Sequence, residues 1–388
     1  MKLENRKGLF RAGVIFLIAL SSLIFGAYLQ RNHTFLPLKR LLEHRPLKLN
    51  PPDQTILDWE LARTEKLEVK YPLKDLNLRQ LEQNHSLYEK ELRELLRLSR
   101  FPQDFFSEVE PVETVPLPQV VREKLKIEVE PNLWVPFYLF LPKSVEGPKP
   151  CILVIHGHSS GKIETAGLVS SYQQGNALRL AEAGFVTVAP DLRGFGELGW
   201  TGEWEDPLGH DFGRSIHVQH VKANLRTGRT ALGSYLYDLQ KILDYSISRP
   251  EVDPERVGVT GTSMGGDIAI WLAILDPRIK AVAANAPGLL HYPKQNVDYG
   301  TFHVCIHTIP GIREYFLFRE LPLLVAPRPF FLDVYPRAPE RPFVQETLER
   351  VYRESGQPER FLIDSYSGRE MFHNQPVIEW FKKWLFKD

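Results

Sequence analysis

The chain has 388 residues, 43% of them apolar, with Lys+Arg and Asp+Glu balanced at 48 each. That length suits one large α/β domain plus an appendage, with ample material for a core. A formal charge of zero gives no electrostatic basis for a nucleic-acid partner and fits small molecules or neutral polymers better. The two cysteines, Cys151 and Cys305, stand in no metal-ligand spacing and make no disulfide framework, so the fold rests on its core.

The N-terminus differs from the rest. Lys2, Arg6, Lys7 and Arg11 precede Ala12 to Leu29, a run without a charge. Its length is at the short end for spanning about 30 Å of hydrocarbon, and it exceeds a usual signal-peptide core. The flanking positive charge predicts that this end stays in the cytoplasm while the remainder is exported. The domain is then either membrane-anchored outside the cytoplasm or, if the segment is cleaved, secreted. From Gln30 to Asn84 prolines such as Pro46, Pro51 and Pro52 interrupt a charged stretch, which reads as a stalk or surface strap. Leu87 to Leu98 has apolar residues at helical spacing and predicts an amphipathic helix.

From about Val121 the pattern becomes strand-like. Arg122 to Val129 alternates, and Trp134 to Leu141 follows, predicting antiparallel strands. Short apolar runs come next: Ile152–Ile155, Phe185–Ala189, Val257–Val259, Ala281–Ala284, Phe330–Leu332 and Phe361–Ile363. Helical stretches lie between them, including Leu178–Ala183, Leu232–Ile247 and Ile268–Leu275. This predicts an α/β fold, a mostly parallel sheet with helices on both faces.

Ligands of such sheets sit beyond the carboxyl ends of the strands. After Val257–Thr260 comes Gly261-Thr-Ser263-Met-Gly-Gly266, followed by a helical run. Glycines let strand and helix approach closely, and the sharp turn pushes the Ser263 hydroxyl out as a nucleophile. After Ile152–Ile155 comes His156-Gly-His158-Ser-Ser-Gly161. Acyl transfer needs two backbone N–H groups on the oxyanion, and Met264 and His158 are the expected donors.

These motifs, with Asp191-Leu-Arg-Gly-Phe-Gly-Glu197, Arg249-Pro-Glu-Val-Asp-Pro254, Asp276-Pro-Arg-Ile-Lys280 and Ala326-Pro-Arg-Pro329, give the resemblance. From about Val121 onward the chain resembles the α/β hydrolases, in particular acetyl xylan esterase-like and dienelactone hydrolase-like proteins. The resemblance implies an α/β-hydrolase domain over residues 119–388 with a cap inserted at about 287–322, behind an anchor (1–29) and a stalk and strap (30–118). Asp191 is then expected to brace loops near the site.

Two positions depart from the pattern. The family aspartate falls on Ala338, so the acid of a triad is expected at Glu340, with Asp333 as the alternative nearer the strand. Arg369 occupies the usual histidine position. His373, the only histidine after His307, is expected to be the general base.

The expected activity is serine-dependent hydrolysis of a carboxylic ester, needing no cofactor and no metal. Acetylated carbohydrate is the narrower substrate class that the resemblance implies. The departures raise an alternative, a catalytically impaired hydrolase fold that binds a ligand. A prolyl-oligopeptidase-like peptidase is a weaker one, since no propeller domain precedes the hydrolase region. His217/His220 and His303/His307 have spacing that could present paired ligands, but lining a pocket is the simpler account. Trp200 and Trp204 could stack on a sugar ring or simply pack.

Overall fold

The apolar runs become strands because they are buried on both faces. In β4 (Lys149–Ile155), Cys151, Leu153 and Ile155 enter one core cluster, while Ile152 and Val154 enter the other. That division is the period-two alternation of a strand covered on both sides. The computed structural model describes residue 63 and residues 66–143, 147–199, 216–290, 304–335, 338–365 and 371–386. The expected anchor, Trp200, Trp204, His303 and Arg369 lie outside these. Among the described residues, no helix is long and apolar enough to cross a membrane.

Nine strands form one sheet in the order β1-β2-β3-β5-β4-β6-β7-β8-β9. The strands are β1 (Val109–Pro116), β2 (Val120–Glu130), β3 (Leu133–Pro142), β4, β5 (Val186–Pro190), β6 (Val252–Thr262), β7 (Ile279–Asn285), β8 (Phe330–Val334) and β9 (Phe361–Ser365). Pairing is antiparallel from β1 through β3 to β5 and parallel from β5 through to β9. Chain order reverses at β4, which lies between β5 and β6, so the loops after β4 and β6 open onto one crevice.

The α1 helix (Leu78–Leu95) starts well before the expected Leu87. Asn77 and Gln80 form a capping box at its start, a signal present in the sequence. Its Leu81, Tyr88 and Leu92 are buried in the main core, and Thr64–Asp388 is one compact unit. The strap from residue 66 onward is thus built into the hydrolase body. The β1 strand was not anticipated from its sequence. Pro111 lies beside its register shift, as an edge strand permits.

The longer of the remaining helices are α2 (Asn176–Glu182), α3 (Ile216–Arg226), α4 (Ala231–Ser248), α5 (Met264–Leu275), α6 (Arg341–Glu354) and α7 (Asn374–Leu385). Every residue of α5 is buried, because it lies between the sheet and the segments over it.

Candidate active site

Ser263 joins β6 to α5 with φ 59° and ψ −122°, a backbone conformation that non-glycine residues rarely adopt. The surroundings hold it there. A Cβ on Gly265 would strike the carbonyl oxygens of Ile155 and, at 2.7 Å, of His156. A Cβ on Gly157 would lie 2.7 Å from the Thr262 carbonyl oxygen and 3.1 Å from Ser263 Cβ. Strand ends β4 and β6 therefore close in on the serine from two sides, and only glycine fits. Met264 opens α5, so its N–H has no acceptor within the helix.

Asn285, the last residue of β7, connects this turn to the neighbouring strand. Its carbonyl accepts from Ser263 N at 2.9 Å, and its side-chain Nδ2 donates to Asp333 Oδ2. Asp333 also accepts from His373 Nδ1 at 2.6 Å. Nδ1 therefore carries the ring proton, and Nε2 is the nitrogen with a basic lone pair in neutral His373. Burial raises the Asp333 carboxyl above its ordinary value, opposed by the hydrogen bonds from His373 and Asn285. His373 precedes α7, and its segment is pinned by Phe372 N to Tyr172 O (2.8 Å) and Asn374 Nδ2 to Gln174 O (3.1 Å). Buried Phe372 anchors it below.

The carboxylate beside His373 is thus Asp333, not the expected Glu340. Glu340 stands at the start of α6 and faces Arg319 Nη1 at 3.3 Å. The reason is register. Pairing of β8 with β9 aligns Asp333 with Asp364, at the strand end from which the chain leads to His373, whereas Glu340 has already turned into the next helix. Ala338, where the family aspartate was expected, is buried. Neither Asn285 nor Tyr172 was singled out in the sequence. Asn285 ends the run Ala281–Ala284, and the strand-end rule points to that position.

The loop after β4 is braced from below. Buried His156 accepts from Leu192 N at its Nε2 (3.0 Å) and donates from Nδ1 to Gly157 O (2.7 Å), and burial lowers its pKa. Asp191 accepts from Lys162 Nζ (2.6 Å), Lys162 N (2.7 Å) and Glu197 N (3.0 Å). Burial opposes charge on Lys162, but Asp191 and Glu197 more than offset it and raise its pKa. Arg193 holds Asp238 and Glu130. Asp191 thus ties the loop after β4 to the loop after β5 through Lys162 and Glu197.

Over the turn lie the His158 ring, Phe195 and His217, with Phe195 stacked on His217 at 5.0 Å. Cys305, from the short helix Val304–His307, contacts His158 Nε2 and Met264 Sδ at 3.3 Å each. His307 lies 3.5 Å from Asp267 on α5. His220 pairs with Ser234 at 2.7 Å. Burial lowers the pKa values of His217 and His220 to about 4. Among the described residues, no group of three or more His, Cys, Asp or Glu side chains could hold a metal ion.

A strained serine at a strand–helix turn, with a histidine–aspartate pair beyond β8, is the arrangement to compare with known proteins. The Abhydrolase family profile matches residues 63–376. The chain belongs to the Abhydrolase family. This abhydrolase is 29% identical over 283 residues to the Bacillus subtilis (strain 168) protein named "Putative hydrolase YtaP", covering 68% of the chain and 88% of that protein. Among solved structures it is similar to a "putative acetyl xylan esterase" from Bacteroides fragilis, with TM-score 0.66 and 18% identity, covering 86% of this chain and 91% of that one. It is also similar to a glucuronoyl esterase from Solibacter usitatus, with TM-score 0.53 and 15% identity, covering 82% and 98%. At such identities these structural matches carry the fold: an α/β-hydrolase fold of the kind seen in acetyl xylan esterase-like proteins.

Proposed function

We propose that this abhydrolase is a carboxylic ester hydrolase with Ser263 as nucleophile, His373 as general base and Asp333 as the acid that orients it. The observation carrying this reading is the 2.6 Å hydrogen bond between His373 Nδ1 and Asp333, which fixes the tautomer with a basic Nε2. In this mechanism the Ser263 oxygen attacks the ester carbonyl as Nε2 takes its proton, and the backbone N–H groups of Met264 and His158 receive the oxyanion. The imidazolium then protonates the leaving alcohol, and water, activated by the same base, releases the acid. No cofactor enters these steps. The esterase names of the structural neighbours favour a carbohydrate ester as substrate. The apolar run Ala12–Leu29 behind Lys7 and Arg11 supports export, with the domain tethered to the membrane or released.

Covalent labelling of the folded protein with a fluorophosphonate tests the mechanism. Wild type is expected to label and to hydrolyse acetyl esters, while Ser263→Ala and His373→Ala lose labelling. Folded wild type that fails to label would overturn the esterase reading and favour a ligand-binding abhydrolase.

A further inference from the structure

Tyr172 touches both halves of the site. Its hydroxyl donates to the His158 carbonyl at 3.3 Å, and its backbone carbonyl accepts from Phe372 N at 2.8 Å, one residue before His373. The same hydroxyl lies against Gly157, beside the point where a Cβ would also come within 3.1 Å of Ser263 Cβ. So the phenol oxygen and the serine flank one point, and Gly157 is the clearance that admits them both.

We infer that Tyr172 is a positioning residue: its hydroxyl holds the His158 carbonyl and so the loop that carries the His158 N–H, and its main chain sets the height of the His373 segment. The inference rests on the esterase reading above. Its physical basis is that an oxyanion donor is effective only when aimed at the place where charge develops, before the reaction begins. His158 follows Gly157 in a loop with no strand pairing of its own, so a bond to its carbonyl helps hold the loop, and the N–H it carries, in place. Tyr172 provides that bond from a half-buried position. Deleting only the phenol oxygen separates the two roles, because the ring still packs and the main chain still holds Phe372.

The test is Tyr172→Phe in the otherwise intact protein, assayed for steady-state turnover of an acetyl ester and for thermal melting. The expected result is a kcat about 5- to 30-fold lower with KM changed by less than about twofold, the pattern of an interaction made in the transition state. Melting should stay close to wild type. A kcat and KM equal to wild type would overturn the inference, as would a loss of kcat that merely parallels a loss of folded protein. Wild type with no Ser263-dependent activity overturns the esterase reading and this inference together. An active wild type matched by Tyr172→Phe overturns this inference alone.

Discussion

The turn at Ser263 and the pair Asp333–His373 are made in opposite ways. The turn is shaped within a few residues: a strand, a residue at positive φ, glycines that admit neighbouring carbonyls, and a helix. The pair joins residues separated by 40 positions that meet only when β8 and β9 lie side by side and the chain then leads back to α7. Local geometry leaves a sequence motif. Assembly across a sheet does not, because the same contact can be reached through loops of different length and residue type.

The sharpest way to break this comparison is to exchange the two carboxylates considered for the acid. Asp333→Asn should lower kcat by about 10³- to 10⁴-fold, the scale known for the equivalent change in serine protease triads, because the amide favours the wrong imidazole tautomer. Glu340→Gln should stay within about twofold of wild type, since it alters only the pairing with Arg319 near a helix end. Steady-state assays of both variants decide it, and the reverse ranking would return the acid to Glu340.

The local half can be stressed at Gly265. An alanine there meets main-chain oxygens of Ile155 and His156, which cannot move without disturbing β4. The Gly265→Ala variant should lose about 2–4 kcal/mol of stability, at the upper end of single-substitution effects, or fail to fold. Chemical denaturation measures it. A near-neutral result would mean that the close strand–helix approach is softer than the structure requires.

The smallest effect concerns the histidines above the turn. Folded His217 stays neutral down to about pH 4, whereas an unfolded-chain histidine takes up a proton near 6.5. Between these values the unfolded chain binds more protons, so stability falls as pH drops through that window. His217→Phe keeps the stacking on Phe195 and removes the titration. Between pH 7 and pH 5 it should lose about 1–2 kcal/mol less stability than wild type, read from urea unfolding at the two values. Equal losses would mean that His217 does not carry this sensitivity.

What could be read early follows the same division. The core strands declared themselves as apolar runs because burial on both faces leaves few polar positions, and Gly261 to Gly266 declared the turn because close approach leaves no room for side chains. His373 was legible by elimination, as the only late histidine. The capping box at Asn77 was present in the sequence and passed over, and β1 was hidden by Pro111 and by the exposure of an edge strand.

The sequence by itself determined the α/β layering, the order of the strands along the chain and the turn that presents Ser263, because each is encoded by residue pattern over short distances. Tertiary structure alone decided that Asp333 rather than Glu340 meets His373, that Asn285 ties the serine turn to that acid, and that Tyr172 spans the loop at His158 and the segment at Phe372. Strand register and loop paths set those distances, and they follow from packing of the whole sheet rather than from any local pattern.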